Sequence, residues 1–208
     1  MMSEHSLTEK TTKGVIWNSI DRFANYGIGF IIGIVLARLL SPEEYGLIGI
    51  IGIFTAIFNI ILDGGFSTAL IRKDGVTDTD YCTVFYTNLI LSLALTATLF
   101  FGAPVISDFF KRPELTPYTR AMSFILIINA LSITQQARLT KRIDFKTQTK
   151  ISLISHTLSG IIGIVMAFFG CGVWSLVVQQ LSSRVFTTTL LWIYNKWIPK
   201  LLFSWKNF

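Results

Sequence analysis

Long apolar runs, each interrupted by a few polar residues, occupy most of this chain. Six can be traced: residues 14–40, 45–70, 81–106, 117–136, 150–169 and 173–194. A predominantly apolar stretch of about 20 residues crosses a bilayer as a helix. Segments such as "GFIIGIVLARLL" and "NLILSLALTATLFF" are apolar all round. They lack the alternation that marks a membrane barrel, and suit helices that satisfy their own backbone in lipid. The pattern predicts an all-α membrane protein: a cytoplasmic tail over 1–13, a lobe of six transmembrane helices over 14–195, and a cytoplasmic segment over 196–208.

Composition agrees. Of 208 residues, 51% are hydrophobic and 14% charged, against about 25% charged in a soluble domain. Mean hydropathy is +0.58. The first thirteen residues are polar and mixed in charge, and the apolar stretch after them is too long for a signal sequence and lacks a small-residue cleavage site, so the first helix is expected to be retained. Cys82 and Cys171 have no paired spacing and read as free thiols.

The formal net charge of +6 changes meaning once it is mapped. Lys10, Lys13, Arg72, Lys73, Arg138, Lys141, Arg142, Lys146, Lys150, Lys196, Lys200 and Lys206 fall on one side of the predicted bundle, and only Arg38, Lys111, Arg112 and Arg120 on the other. Twelve against four predicts a multi-pass membrane protein with both termini cytoplasmic. The basic loops then serve topology and contact with anionic lipid headgroups, and no nucleic acid is implied. The loops are too short for a soluble catalytic domain. In "SPEE", Ser41 suits a helix cap, Pro42 a first helical position and the acids a helix N-terminus.

Against this background "WNSIDRFANYG" (17–27) is anomalous. Helical spacing sets Asn18, Asp21 or Arg22, Asn25 and Gly29 along one face. Arg22 would lie ~12 Å into its helix at about 1.5 Å per residue, where a charge costs about 2.5–3.5 kcal/mol unless it is paired or hydrated. The second helix has a matching face of Gly49, Gly52, Ala56, Asn59 and Asp63. The tight turn between them predicts antiparallel neighbours and an Arg22–Asp63 interaction. That pair is either a lock between helices or part of a polar cavity open to the cytoplasm.

Weaker polar faces recur. They comprise Asn129, Ser132 and Gln136 in the fourth run; Ser152, Ser155 or His156, Ser159 and Gly163 in the fifth; and Gln180, Ser183 or Arg184 and Thr187 in the sixth. Small residues also serve plain helix packing, and Gly29-x-x-x-Gly33 reads as a close helix contact. His156 reads as a hydrogen-bonded packing residue, with proton relay the alternative. Arg184 has no acid nearby in sequence and predicts water or an anionic ligand beside it. Candidate cavity groups are therefore Arg22, Arg184, Asn18, Asn25, Asn59 and Gln180, with Asp21 and Asp63 as candidate ion carriers. This set suits a polar or anionic substrate. No P-loop, H-E-x-x-H or G-x-S-x-G is present, and Asp74, Asp78 and Asp80 suit the start of the third helix better than a metal. Transport is expected, with no enzymatic activity, cofactor or metal.

The strings "ARLLSPEEYGLIGI", "DGGFSTALIRKDGVTDTDY", "FFKRPEL" and "FGCGVWSLVVQQL", in this order, resemble the polysaccharide flippase family. These are the Wzx-type O-antigen, colanic-acid and teichuronic-acid exporters of the multidrug/oligosaccharidyl-lipid/polysaccharide superfamily. The resemblance runs from about Gly14 to Ser204. It implies export of undecaprenyl-pyrophosphate-linked oligosaccharide by alternating access between two lobes. It also implies cavity cations for the pyrophosphate, for which Arg22 and Arg184 match best. Arg38 resembles a recurrent position, as substrate contact or interfacial anchor. Family members have twelve to fourteen helices, so this chain resembles an N-terminal lobe, with 196–208 as the start of the linker. It is then expected to work with a second six-helix lobe or with envelope polysaccharide-assembly proteins. The alternatives are a drug/cation antiporter of the same superfamily and a non-transporting membrane scaffold.

Overall fold

In a computed structural model of the chain, residues 4–73 and 75–199 are described, without the side chains of 4–16, 18–21 and 66. The described residues form six long helices and one short one: α1 Glu4–Leu39, α2 Pro42–Asp63, α3 Phe66–Arg72, α4 Asp78–Phe109, α5 Leu115–Lys141, α6 Phe145–Phe168 and α7 Val173–Asn195. Segments Arg22–Leu39, Pro42–Arg72, Asp78–Phe109 and Phe145–Phe168 are long and apolar enough to cross a membrane. α5 and α7 fall short of that measure. Polar residues including Asn129 and Gln135 in α5, and Gln180 and Arg184 in α7, dilute their hydropathy.

Helix ends follow from local chemistry. Ser41 caps α2 in a reciprocal box: Glu44 N donates to Ser41 Oγ at 3.3 Å and Ser41 N to Glu44 Oε2 at 2.7 Å, with Pro42 opening the helix. Thr77 and Asp80 repeat the arrangement at α4, where Lys73 Nζ also reaches Asp80 Oδ1 at 2.8 Å. The apolar run 45–70 is not one helix. Gly64 (φ +41) and Gly65 (φ +80) take left-handed backbone that other residues resist, so α2 stops at Asp63 and α3 restarts at Phe66.

α4 packs along α5, α5 along α7, α7 along α6 and α6 along α1, while α2 lies mainly on α5. The main core joins α2, α4, α5 and α7 through Ile51, Leu62, Leu99, Leu126 and Val177. A second cluster binds Ile32 and Leu36 of α1, and Leu40 just after it, to Ala167 and Leu176. Sequence neighbours α1 and α2 are thus not packed along each other, contrary to the expectation from their tight turn. They meet near the turn, where Tyr45 and Ile48 touch the second cluster, and then follow different partners. The close glycine contact also lies elsewhere than expected. Gly29 and Gly33 have nothing within 4 Å of where a Cβ would stand. Gly160 instead receives Ile32 of α1, and a Cβ on Gly163 would stand 2.9 Å from Gln179 Cβ of α7. Without a hydrophobic drive between helices in lipid, such close approach is what holds α1–α6–α7 together.

Two interhelical features of the bundle involve arginines. Pro104 within α4 has no N–H for the Phe100 carbonyl. Arg120 of α5 supplies the missing donor, its Nε reaching Phe100 O at 3.4 Å. At the opposite end, the chain turns back after α7. Trp197 is buried beside Tyr81 and Phe85 of α4. The Arg138 guanidinium of α5 lies 4.9 Å from the Trp197 ring and 5.0 Å from that of Tyr81. Gln135 Nε2 donates to Trp197 O at 3.0 Å, and Asn195 Nδ2 to Gln135 Oε1 at 2.7 Å.

Candidate functional site

The polar faces of α2, α5 and α7 converge. Asn59, Asp63, Asn129, Gln136, Gln180 and Arg184 line a cavity of about 720 Å³, together with small residues such as Gly52, Ala56 and Ser132. The helical repeat explains the convergence. Positions 52, 56, 59 and 63 share one face of α2, 129, 132 and 136 one face of α5, and 180 and 184 one face of α7. The lining runs from Gly52, near the middle of α2, to Asp63 and Ser67, so the cavity extends toward the end of the bundle that carries α3. The amides are ordered across it: Asn59 Nδ2 donates to Thr55 O at 2.7 Å, and Asn129 Nδ2 to Asn59 Oδ1 at 2.6 Å.

A smaller chamber of about 240 Å³ lies between α5, α6 and α7. His156, Ser159, Gln179, Ser183 and Thr187 contribute to its wall. Ile125, Gln180 and Arg184 belong to both chambers. Arg184 stands at the midpoint of α7, about 16 Å of helix from either end. None of the ion pairs among the described residues involves it. A guanidinium held there meets its cost through the polar surface and whatever occupies the cavity.

Of the candidates from sequence, the structure brings together Asn59, Asp63, Gln180 and Arg184. Arg22 is exposed on α1 and lines neither chamber. It forms no ion pair with Asp63, because α1 follows α6 while α2 follows α5. Asn25 joins helices, its Nδ2 donating to Ser152 Oγ at 2.8 Å. Arg38 is exposed at the far end of α1. The side chains of Asn18 and Asp21 lie outside the described residues. Asn129, Ser132 and Gln136 had formed a visible face in the sequence without being singled out as site residues; they complete the α5 wall.

A helical, multi-pass membrane protein with a polar cavity and an arginine at mid-helix is the class these features define. The chain belongs to the polysaccharide biosynthesis protein family, whose model matches residues 35–208. Relatives include the succinoglycan biosynthesis transport protein ExoT of Rhizobium meliloti, 26% identical over 93% of this chain and 39% of its own length. The teichuronic acid biosynthesis protein TuaB of Bacillus subtilis is 28% identical over 96% of this chain and 42% of its own. The lipopolysaccharide biosynthesis protein WzxC of Escherichia coli is 24% identical over 96% and 38%. The chain thus spans about two fifths of the length of these curated relatives. No solved structure shows a significant match.

Proposed function

We propose that this chain forms the N-terminal lobe of an exporter of lipid-linked oligosaccharide, with an undecaprenyl-pyrophosphate glycan as its substrate class. In this reading it crosses the inner membrane six times with both ends cytoplasmic. Basic residues at the α3 end, Arg72, Lys73, Arg138 and Lys141 among them, then put the cavity mouth on the cytoplasmic side, where such a lipid is made. The observation that carries the reading is Arg184: a permanent cation at mid-helix, in the wall of a cavity otherwise rich in neutral amides. Guanidinium binds phosphate oxygens in bidentate fashion, which lysine does not reproduce. A second lobe would supply the opposing wall, and rocking between the lobes would carry the glycan across.

The test is binding of undecaprenyl pyrophosphate oligosaccharide to the purified chain in nanodiscs. Arg184→Gln should weaken binding at least tenfold, and Arg184→Lys should restore only part of it. Unchanged binding by Arg184→Gln would remove the proposal's support. Asp63 in the same cavity favours a second reading, a drug or cation antiporter. That reading predicts uptake of a cationic dye that Asp63→Asn abolishes and Arg184→Gln leaves intact.

A further inference from the structure

The end of α7 forms a separate concavity with a different chemistry. After Asn195 the chain turns through Lys196, whose left-handed backbone (φ +48) sends Trp197 in against α4 and leaves Ile198 exposed. Between that turn, the last turns of α7 and Leu131 of α5 lies a groove of about 630 Å³. Trp192, Ile193 and Ile198 line it, and Lys196 stands at its loop end. It shares no lining residue with the cavity beside Arg184. We infer that this groove is a binding site for one anionic phospholipid, with an acyl chain along α7 and the phosphate at the Lys196 ammonium. The site is independent of the exporter reading.

The groove's own hydrogen bonding leaves it apolar. Thr188 Oγ1 donates to Ile128 O at 3.2 Å and Trp192 Nε1 to Leu131 O at 3.0 Å, so both donors are spent on α5. What remains is mainly ring and alkyl surface, with the Thr189 hydroxyl along it and one ammonium at its end. A sugar needs many donors and acceptors together, which this wall lacks. An amphiphile with an apolar tail and a negative head matches it. No acid lines the groove, and none of the ion pairs among the described residues involves Lys196. Length agrees: Thr188 to Lys196 spans about 12 Å of helix, close to the ~15 Å apolar depth of one leaflet. Indoles beside a lysine are the groups that settle at headgroup level. Trp197 is fixed by Gln135, whose Nε2 donates to its carbonyl, and by Arg138, 4.9 Å from its ring. The groove is thus formed before the lipid arrives, which lowers the ordering cost of binding.

The test is native mass spectrometry of the full chain in non-ionic detergent, titrated with phosphatidylglycerol and, separately, with phosphatidylcholine of the same acyl chains. One phosphatidylglycerol per chain should be retained, with a preference of about fivefold over the zwitterionic lipid, the worth of one lysine beside an anionic headgroup. Lys196→Gln should bring that preference to about one while both lipids still bind. Thr189→Trp fills the groove and should lower retention of both lipids about fivefold or more. Lys196 and Thr189 are exposed, so neither change repacks the core. A photoreactive benzophenone residue placed at Ile193 should cross-link to an acyl chain. A preference that persists in Lys196→Gln, or retention that Thr189→Trp leaves intact, overturns the assignment. So does capture at position 193 of a second copy of the chain, or of another segment of the same chain, in place of lipid.

Discussion

Pro104 opens a gap in the backbone ladder of α4, and Arg120 of the neighbouring helix fills it. The perturbation that tests this is Arg120→Met, made in the natural chain and again in a Pro104→Ala background. In the natural chain the substitution removes the Nε donor 3.4 Å from Phe100 O and a guanidinium 5.1 Å from the Phe100 ring centre. A hydrogen bond from a charged group contributes about 1.5–3 kcal/mol, and the length of this one places it at the low end. The cation–ring contact adds about 0.5–1 kcal/mol. The expected loss is therefore ~2 kcal/mol, larger than for an exposed arginine because a carbonyl in lipid has no water to turn to. In the Pro104→Ala background the restored backbone N–H reaches the Phe100 carbonyl within α4, and Arg120 is no longer needed for it. The same Arg120→Met change should then cost only the ring contact, about 0.5–1 kcal/mol. Equilibrium unfolding in mixed micelles, followed by tryptophan fluorescence, gives the four stabilities of the cycle. A coupling of about 1 kcal/mol is expected, and equal losses in both backgrounds, within the ~0.3–0.5 kcal/mol at which independent sites add, would refute the account.

Three further outcomes follow from the packing. Gly163→Ala should destabilise the chain by about 1–3 kcal/mol, read as a lowered unfolding midpoint, because its Cβ meets the Gln179 Cβ of α7, which cannot swing away. Ser41→Ala removes one half of the α2 capping box and should cost about 1 kcal/mol in the same assay; Ser41→Asp should recover most of it. Trp197→Ala empties the site between Tyr81, Phe85 and Arg138 and should cost about 3–5 kcal/mol. Amide hydrogen exchange at Asn195 and Lys196 should quicken in that variant while exchange in the middle of α7 is unaffected.

Four of the long helices were readable because lipid imposes one requirement, an apolar segment long enough to cross, and hydropathy reports it directly; α5 and α7 were visible only as apolar runs diluted by polar residues. The break at Gly64 and Gly65 was readable too, in "DGG", but the apolar run through 45–70 concealed it. The polar faces of α2, α5 and α7 were visible as residues at helical spacing, and those faces meet at the cavity. Which helices face each other was not visible. The turn at 41–44 argued for α1 beside α2 and hence for Arg22 beside Asp63. The outcome was decided by Gly160, 128 positions along the chain from Ile32, whose missing side chain lets α1 settle on α6 instead. Periodicity says nothing about such complementarity between distant segments. Arg138 was masked in another way: its charge fitted the topological count, so nothing in the sequence marked it as the residue that stacks on Trp197 and Tyr81.

The fold-back after α7 also has a mechanical meaning. A pull on the backbone at Pro199 does not travel straight up α7. It reaches Trp197 first, and there it is shared through Gln135 and Arg138 with α5 and through the Tyr81 and Phe85 rings with α4. Those two helices are the most extensively packed pair in the bundle. Force applied at that point is therefore divided between the last turn of α7 and the α4–α5 pair. Trp197 acts as a tow-point, and the wall of the cavity formed by α5 is the part of the lobe that moves with it.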